Sequence, residues 1–172
     1  MGGGDEPLWP ISFAESLPVP FVPTRYEVLD LVFEALQLRE DDVFVDLGCG
    51  DGRVAVEAAR RYPIRASVCV EARSDLVERA AKNAREAGVD DRVLVVRGDF
   101  FGQPLIGATA VYMYLLTSVN EALKPKLSKE LKPGARVATL DFMIPGWKPV
   151  KVLGGSGWQR RVYLYVIGVS DK

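Results

Sequence analysis

The stretch Val43-Phe-Val-Asp-Leu-Gly-Cys-Gly-Asp-Gly52 decides the fold class of this 172-residue chain. Its first five residues form an apolar run typical of a buried strand, and glycines alternate at positions 48, 50 and 52 directly afterwards. Residues 53–61 then predict a helix that Pro63 ends. A glycine-rich turn between a first strand and a first helix is typical of nucleotide-cofactor sites in doubly wound α/β folds.

Strands and helices alternate along the rest of the chain. Further strands are predicted at residues 66–70, 92–96, 109–115 and 135–142, and a closing antiparallel pair at 148–153 and 161–169. Helices are predicted to start from capping residues Thr24, Ser74 and Ser118, with Pro125 in the first turn of the last one. Short links between alternating elements imply right-handed crossovers and parallel strands.

We therefore predict a Rossmann-like, doubly wound α/β fold. It has a mostly parallel seven-stranded sheet with an antiparallel C-terminal strand. We expect a single domain at residues 17–172 behind a flexible N-terminal tail at residues 1–16.

Composition excludes several kinds of site. The chain has no histidine and no C-x-x-C motif, which removes histidine-based triads and the common zinc sites, so we predict no metal. Cys49 and Cys69 lie in apolar segments, which favours reduced thiols. No apolar run approaches the roughly 18 residues of a membrane span, and residues 1–6 lack the features of a signal peptide. We expect a cytoplasmic, monomeric protein with no membrane partner.

Charge is distributed unevenly along the chain. Residues 120–172 carry 10 Lys+Arg against 4 Asp+Glu, whereas residues 1–119 carry 12 against 19. Six lysines fall between Lys124 and Lys151. They fit either a solvated helix face or a positive surface that meets an acidic protein or a nucleic acid.

The charges around the glycine loop favour one kind of ligand. Asp46 ends the first strand and Asp51 lies inside the loop, where two carboxylates would repel a pyrophosphate. The dinucleotide fingerprint also requires a glycine where this chain has Arg53. A cationic ligand suits these carboxylates, and S-adenosyl-L-methionine carries a sulfonium and an ammonium group but no phosphate.

Other residues extend this predicted cofactor site. Glycines at Gly48, Gly50 and Gly52 allow close approach of the methionine portion. Glu71, 21 residues after Gly50, can accept both ribose hydroxyls. Asp99 can accept from the adenine amino group, with Phe100 or Phe101 beside the ring.

The chain resembles the seven-β-strand S-adenosylmethionine-dependent methyltransferases. Val45-Asp-Leu-Gly-Cys-Gly-Asp-Gly52 resembles their first motif, Val68-Cys-Val-Glu71 their second, and Arg97-Gly-Asp-Phe100 their adenine contact. Over nearly the whole chain, segments such as Pro20-Phe-Val-Pro-Thr24 and Tyr114-Leu-Leu-Thr-Ser-Val-Asn120 are similar to the small archaeal protein lysine methyltransferases.

The resemblance implies methylation of lysines exposed on protein substrates. It places Phe21, Pro23, Thr24, Tyr114 and Leu115 around the site. The predicted cofactor-binding residues also include Cys49 and Ala72. Tyr114 and Thr24 are the predicted catalytic residues, with Tyr112 or Tyr114 orienting an amine that needs no dedicated base.

Three alternatives stay open. The segment Tyr112-Met-Tyr-Leu115 lacks the proline-containing motif of base-methylating enzymes, which disfavours nucleic acid, although the positive C-terminal part keeps RNA possible. A small-molecule substrate would usually need lid elements for which little chain is left. The third alternative is a cofactor-binding module without catalysis.

Overall fold

The computed structural model of the chain describes residues 22–156 and 160–172. The predicted tail at residues 1–16 and the predicted site residue Phe21 lie outside these ranges. Within them the helices are α1 (Tyr26–Leu36), α2 (Arg53–Arg61), α3 (Ser74–Glu86) and α4 (Thr117–Glu130). The strands are β1 (Val43–Leu47), β2 (Ala66–Glu71), β3 (Val93–Arg97), β4 (Ala110–Met113), β5 (Arg136–Leu140), β6 (Lys151–Gly154) and β7 (Arg161–Val166).

The strands form one seven-stranded sheet in the order β3-β2-β1-β4-β5-β7-β6. Strands β1 to β5 pair in parallel, and β7 runs antiparallel to both β5 and β6. The predicted fold class is confirmed. Strand order reverses between β1 and β4, and crevices at the carboxyl ends of strands on either side of such a reversal hold ligands in open α/β sheets.

Successive side chains of β1 point to opposite faces of the sheet, and both faces are covered by helices. Val45 and Leu47 pack into a core with α4, whereas Phe44 packs into a second core with α1 and α2. A third apolar cluster joins α2 and α3 to the sheet around Cys69. No helix in the described ranges combines the length and the hydrophobicity that crossing a membrane requires.

The predicted helix caps are wrong. Arg25, Arg73 and Leu116 occupy the N-cap positions of α1, α3 and α4, and none of them makes a side-chain cap hydrogen bond. Thr24 fails to cap because its hydroxyl is buried and shares a hydrogen bond with the Tyr112 hydroxyl at 2.9 Å. Pro125 lies in the third turn of α4 rather than its first.

The expectation of reduced thiols is also wrong, because Cys49 and Cys69 form a disulfide in this structure. The pairing of β1 with β2 brings the glycine loop back over β2, and the two Cα atoms lie 5.3 Å apart. The amides of Gly48 and Cys49 both donate to the Val70 carbonyl at 2.9 Å, which holds the loop in that position.

Candidate functional site

A cavity of about 350 Å³ opens at the carboxyl ends of β1 and β4, where the strand order reverses. Twelve of the predicted site residues line it: Pro23, Thr24, Asp46, Gly48, Cys49, Gly50, Asp51, Glu71, Ala72, Phe100, Tyr114 and Leu115. Three others, Gly52, Asp99 and Phe101, are described but do not line it. The main residues that we did not predict are Arg53, Arg73, Leu76, Leu116 and Phe142.

The glycine loop keeps most of its amides for the protein itself. Besides the two amides bound to Val70, Gly50 N–H donates to Glu71 Oε1 at 2.8 Å, and Gly52 N–H donates to the Cys49 carbonyl at 3.0 Å. Four of the five amides in residues 48–52 are therefore already used. A pyrophosphate needs free N–H donors at such a loop, so this geometry disfavours a dinucleotide.

Gly48 and Gly52 serve different purposes, although both have positive φ, at 75° and 82°. A Cβ on Gly48 would stand 3.0 Å from Leu115 Cδ2, inside the cavity wall. A Cβ on Gly52 would stand 2.8 Å from Ala80 Cβ, so Gly52 lets α2 begin against α3. The position of Gly52 gives it a packing role rather than a place in the cavity wall.

Gly52→Ala is expected to destabilise the protein more than Gly88→Ala. Both changes put a side chain at positive φ, but a Cβ on Gly88 would have no atom of the described residues within 4 Å. The excess should be the cost of overpacking against Ala80, about 1–3 kcal/mol. Urea unfolding of both variants measures it, and equal losses would contradict the packing role.

Asp46 is the most unusual group in the cavity. Asp46 is only 2% exposed, and no residue in the described ranges donates a hydrogen bond to its carboxylate. Burial raises its pKa well above the usual range, and the negative charges of Glu71 and Asp51 raise it further. A buried carboxylate without a partner is costly, so this position is suited to a cationic ligand.

Asp51 does not share that role, which corrects the electrostatic argument made from the sequence. Arg53 Nη2 donates to Asp51 Oδ2 at 2.9 Å, and the Arg53 backbone N–H donates to Oδ1 at 3.2 Å. Arg53 also donates to the Thr24 carbonyl and lies over the Tyr26 ring. The charge of Asp51 is therefore balanced within the protein, and Arg53 ties the segment before α1 to the loop.

Glu71 is the last residue of β2, and its carboxylate faces the loop. Oε1 accepts from Gly50 N–H at 2.8 Å and Oε2 accepts from Arg73 N–H at 3.0 Å. Each carboxylate oxygen has two lone pairs, so both can accept a further hydrogen bond from a ligand hydroxyl. The predicted ribose contact is compatible with this arrangement.

The predicted adenine-binding residues are only partly brought together. Phe100 lines the cavity, and Phe101 packs against it with ring centroids 5.0 Å apart. Asp99 Oδ1 accepts from the Phe101 N–H at 2.9 Å, which closes the turn after β3. Contacts of Asp99 and Phe101 with the cofactor stay predictions.

Two tyrosines from the end of β4 differ in their surroundings. Tyr112 is 1% exposed and bonded to Thr24, and burial raises its pKa well above the usual range, so its hydroxyl stays protonated. Tyr114 is half-buried at the rim, where its ring stacks on Phe142 with centroids 6.3 Å apart. Its hydroxyl accepts a hydrogen bond from Arg160.

The sequence gives little signal for this rim. Phe142 follows β5 and Arg160 precedes β7, and neither belongs to a motif that we recognised. Antiparallel pairing of β5 with β7 brings them together, since Leu140 opposes Val162. Only that tertiary pairing could have identified them.

The cavity as a whole fits the predicted cofactor. Asp46, whose carboxylate has no donor in the part of the chain that the structure describes, suits a positive group. Glu71 retains acceptor capacity for hydroxyls, and Phe100 places an aromatic ring in the wall. Gly48 leaves room that a side chain would fill. A phosphate-bearing cofactor would meet carboxylates and amides that are already engaged.

Comparisons with known proteins agree with the predicted cofactor. Residues 46–151 match the ANTKMT methyltransferase domain family. A protein-lysine N-methyltransferase of Saccharolobus islandicus is 45% identical over 153 residues, 87% of this chain and 94% of that protein. The mouse adenine nucleotide translocase lysine N-methyltransferase is 36% identical over 80% of this chain, which spans 59% of the mouse protein.

A solved structure of similar size carries a different substrate name. The structure of an RNA methyltransferase from Salinibacter ruber in complex with S-adenosyl-L-homocysteine is 42% identical, with a TM-score of 0.81. The match covers 85% of this chain and 94% of that one. With a family match over more than half of its length and a relative 45% identical along most of it, the chain belongs to the ANTKMT methyltransferase domain family.

Proposed function

We propose that this protein is an S-adenosyl-L-methionine-dependent methyltransferase that methylates lysine side-chain amines of proteins. The observation that carries the proposal is the buried carboxylate of Asp46, which lies in the cavity at the strand-order reversal and accepts no hydrogen bond from the described residues. The family and the lysine-methylating relatives support the same activity. The monomeric, cytoplasmic state expected from the sequence remains part of the proposal.

The residues of this chain account for what methyl transfer requires. When bound, S-adenosyl-L-methionine supplies a sulfonium methyl group that an unprotonated amine displaces in line. Asp46 is placed to offset the positive charge of the ligand, and Thr24 with Tyr112 fixes the segment before α1 against the cavity. A free lysine has a pKa of about 10.4, and desolvation among apolar rim residues such as Leu116 and Phe142 favours its neutral form.

Charges at the rim disfavour a nucleic acid substrate. The arginines there are each paired with a carboxylate: Arg53 with Asp51 at 2.9 Å, Arg73 with Asp75 at 2.8 Å, and Arg160 with Asp141. Each of these guanidinium charges is therefore already balanced within the protein. Binding to RNA depends mainly on cationic side chains that are free to contact phosphates, and these three arginines do not provide them.

No lysine is among the described residues that line the cavity. Helix α4 starts after the carboxyl end of β4 and runs back, so Lys129 and Lys132 lie near the start of β5. The start of β5 lies at the amino ends of the parallel strands, whereas the cavity lies at their carboxyl ends. Lys124 and Lys126 are paired with Glu121 and Glu130.

RNA methylation is the second candidate, because the Salinibacter structure is named as an RNA methyltransferase. Incubation of the protein with an extract and tritiated S-adenosyl-L-methionine separates the two. We expect label that protease releases and RNase leaves in place, with methyllysine after hydrolysis. Label released by RNase alone would overturn the proposal. Asp46→Asn serves as the control, and it should incorporate less label at low S-adenosyl-L-methionine concentration.

Tyr114→Phe is expected to slow methyl transfer by about 2- to 12-fold, the worth of one neutral hydrogen bond. The substitution removes only the hydroxyl, which lies at the rim, and keeps the ring that stacks on Phe142. S-Adenosyl-L-methionine affinity, measured by calorimetry, should change less than twofold. A large loss of affinity would show instead that the hydroxyl binds the cofactor.

A further inference from the structure

The turn after β5 has a backbone conformation that side chains rarely adopt. Asp141 has a φ of 64°, and the Phe142 N–H donates to the Leu140 carbonyl at 2.7 Å, which makes a tight three-residue turn. Non-glycine residues in such conformations persist only where surrounding contacts fix them, and they concentrate at functional sites.

Contacts from two elements hold the turn in place. The fully buried Asn120 of α4 donates its amide to the Phe142 carbonyl at 3.1 Å and to the Met143 carbonyl at 3.2 Å. Arg161 of β7 makes two hydrogen bonds with Asp141. Its carbonyl accepts from the Asp141 N–H at 2.7 Å, and its own N–H donates to Asp141 Oδ1 at 3.2 Å. The carboxylate of Asp141 is thereby fixed beside the first residues of β7.

Arg160 connects this carboxylate to the rim of the cavity. Its Nε donates to Asp141 Oδ2 and its Nη2 donates to Tyr114 Oη, both at 2.5 Å. The guanidinium carbon also lies 5.3 Å from the centre of the Tyr114 ring. Tyr114 is thus held by Arg160 through both its ring and its hydroxyl, and it stacks on Phe142 from the same turn.

We propose that Asp141 and Arg160 are positioning residues that fix the Tyr114 hydroxyl for the acceptor amine. The inference rests on the proposed methyltransferase activity. A hydrogen bond accepted from Arg160 fixes the position of the hydroxyl oxygen and leaves its second lone pair to accept an N–H of the amine, whose own lone pair stays free for the methyl group. Because Asp141 balances the charge of Arg160, the guanidinium does not repel an incoming lysine ammonium.

A double-mutant cycle tests this coupling. We expect Arg160→Met to lower kcat about as much as Tyr114→Phe, with KM and cofactor affinity within twofold of wild type. The combined variant should be no slower than Tyr114→Phe alone, because both changes remove the same interaction. Asp141→Asn should give a similar loss, since asparagine tolerates positive φ but removes the charge and replaces one of the two accepting oxygens by an NH2 donor.

Two controls separate positioning from stability. Arg39→Met removes a surface ion pair with Asp41, where both side chains are more than 70% exposed, and should leave kcat unchanged. Arg160→Lys keeps the charge but cannot bond both partners in the same geometry, and should recover kcat only in part. Additive losses in the cycle, or a cofactor affinity that falls with kcat, would overturn the proposal.

A spectroscopic measurement is independent of the substrate. The ring-carbon NMR signal of Tyr114, assigned with Tyr114→Phe in protein carrying ¹³C-labelled tyrosine, should shift in Arg160→Met and in Asp141→Asn. An unchanged signal would overturn the positioning role. If the signal shifts but wild-type protein methylates no lysine, the proposed function fails while the coupling stands.

Discussion

Asp46→Asn is expected to weaken S-adenosyl-L-methionine binding by about 10- to 150-fold, which corresponds to the 1.5–3 kcal/mol of a hydrogen bond to a charged group. Asparagine has nearly the same shape, so the cavity should keep its form while losing the negative charge that faces a cation. The Asp46 carboxylate has no hydrogen-bond donor in the described part of the protein to replace the ligand. Isothermal calorimetry on both proteins measures the change.

The raised pKa of Asp46 adds a pH dependence to this prediction. The folded, ligand-free protein keeps a proton on Asp46 that the unfolded chain releases near pH 4. Stability should therefore fall as pH rises from about 4 through the raised pKa, and Asp46→Asn should remove that fall and raise Tm at neutral pH. A cationic ligand favours the carboxylate, so binding should release a proton and strengthen with rising pH.

Calorimetry in buffers of different ionisation enthalpy, together with thermal melts across pH, tests both effects. Asp41→Asn is the matched control, since Asp41 is exposed and pairs only weakly with Arg39 at 3.9 Å. An Asp46→Asn variant that binds as tightly as wild type, or that melts at a lower temperature, would contradict the account of this carboxylate.

Arg136→Met is expected to lower the free energy of unfolding by about 3–5 kcal/mol, the cost of leaving a buried charge unpaired. Arg136 donates to both oxygens of Asp42, at 3.0 and 2.7 Å, and the Asp42 side chain is 2% exposed. The same guanidinium donates to the Leu36 carbonyl at the end of α1. The methionine keeps much of the apolar stem but none of these bonds.

The double variant Asp42→Asn/Arg136→Met is the control, because it removes the buried charge together with its partner. Urea unfolding should show that it recovers part of the lost stability.

Burial raises the pKa of Asp42, but hydrogen bonds from Arg136, Thr109 and Arg39 outweigh this and leave the pKa lowered. The wild-type protein should therefore have a higher free energy of unfolding than Arg136→Met above about pH 4, and this difference should disappear as pH falls further. A loss below 1 kcal/mol in the single variant would contradict the pairing.

Local sequence signals were sufficient for the central part of the fold. The apolar run Val43–Leu47 and helix Arg53–Arg61 have the predicted bounds, and the glycine loop joins them as expected. Hydrophobic runs and glycines act on their immediate neighbours, so they can be read without tertiary information. Asp46, Glu71, Phe100 and the loop residues in the cavity wall follow from this, since parallel strands bring their carboxyl ends together. Pro23, Thr24, Tyr114 and Leu115 are predicted from the family resemblance instead.

Features that depend on distant partners could not be read in the same way. The local sequence predicts Thr24 as a helix cap, but the buried Tyr112, 88 residues away, shares a hydrogen bond with its hydroxyl. The local sequence predicts Cys49 and Cys69 as separate apolar residues, but strand pairing places them side by side. The pairing of Arg53 with Asp51 changes which carboxylate in the cavity carries an unbalanced charge.

Calorimetric titration of the wild-type protein with S-adenosyl-L-methionine, and then with NAD under the same conditions, tests most directly whether the cavity selects a positively charged methyl donor. We predict one-to-one binding of S-adenosyl-L-methionine with proton release, and no binding heat from NAD. Uptake of NAD with equal or greater affinity would contradict the role assigned to Asp46.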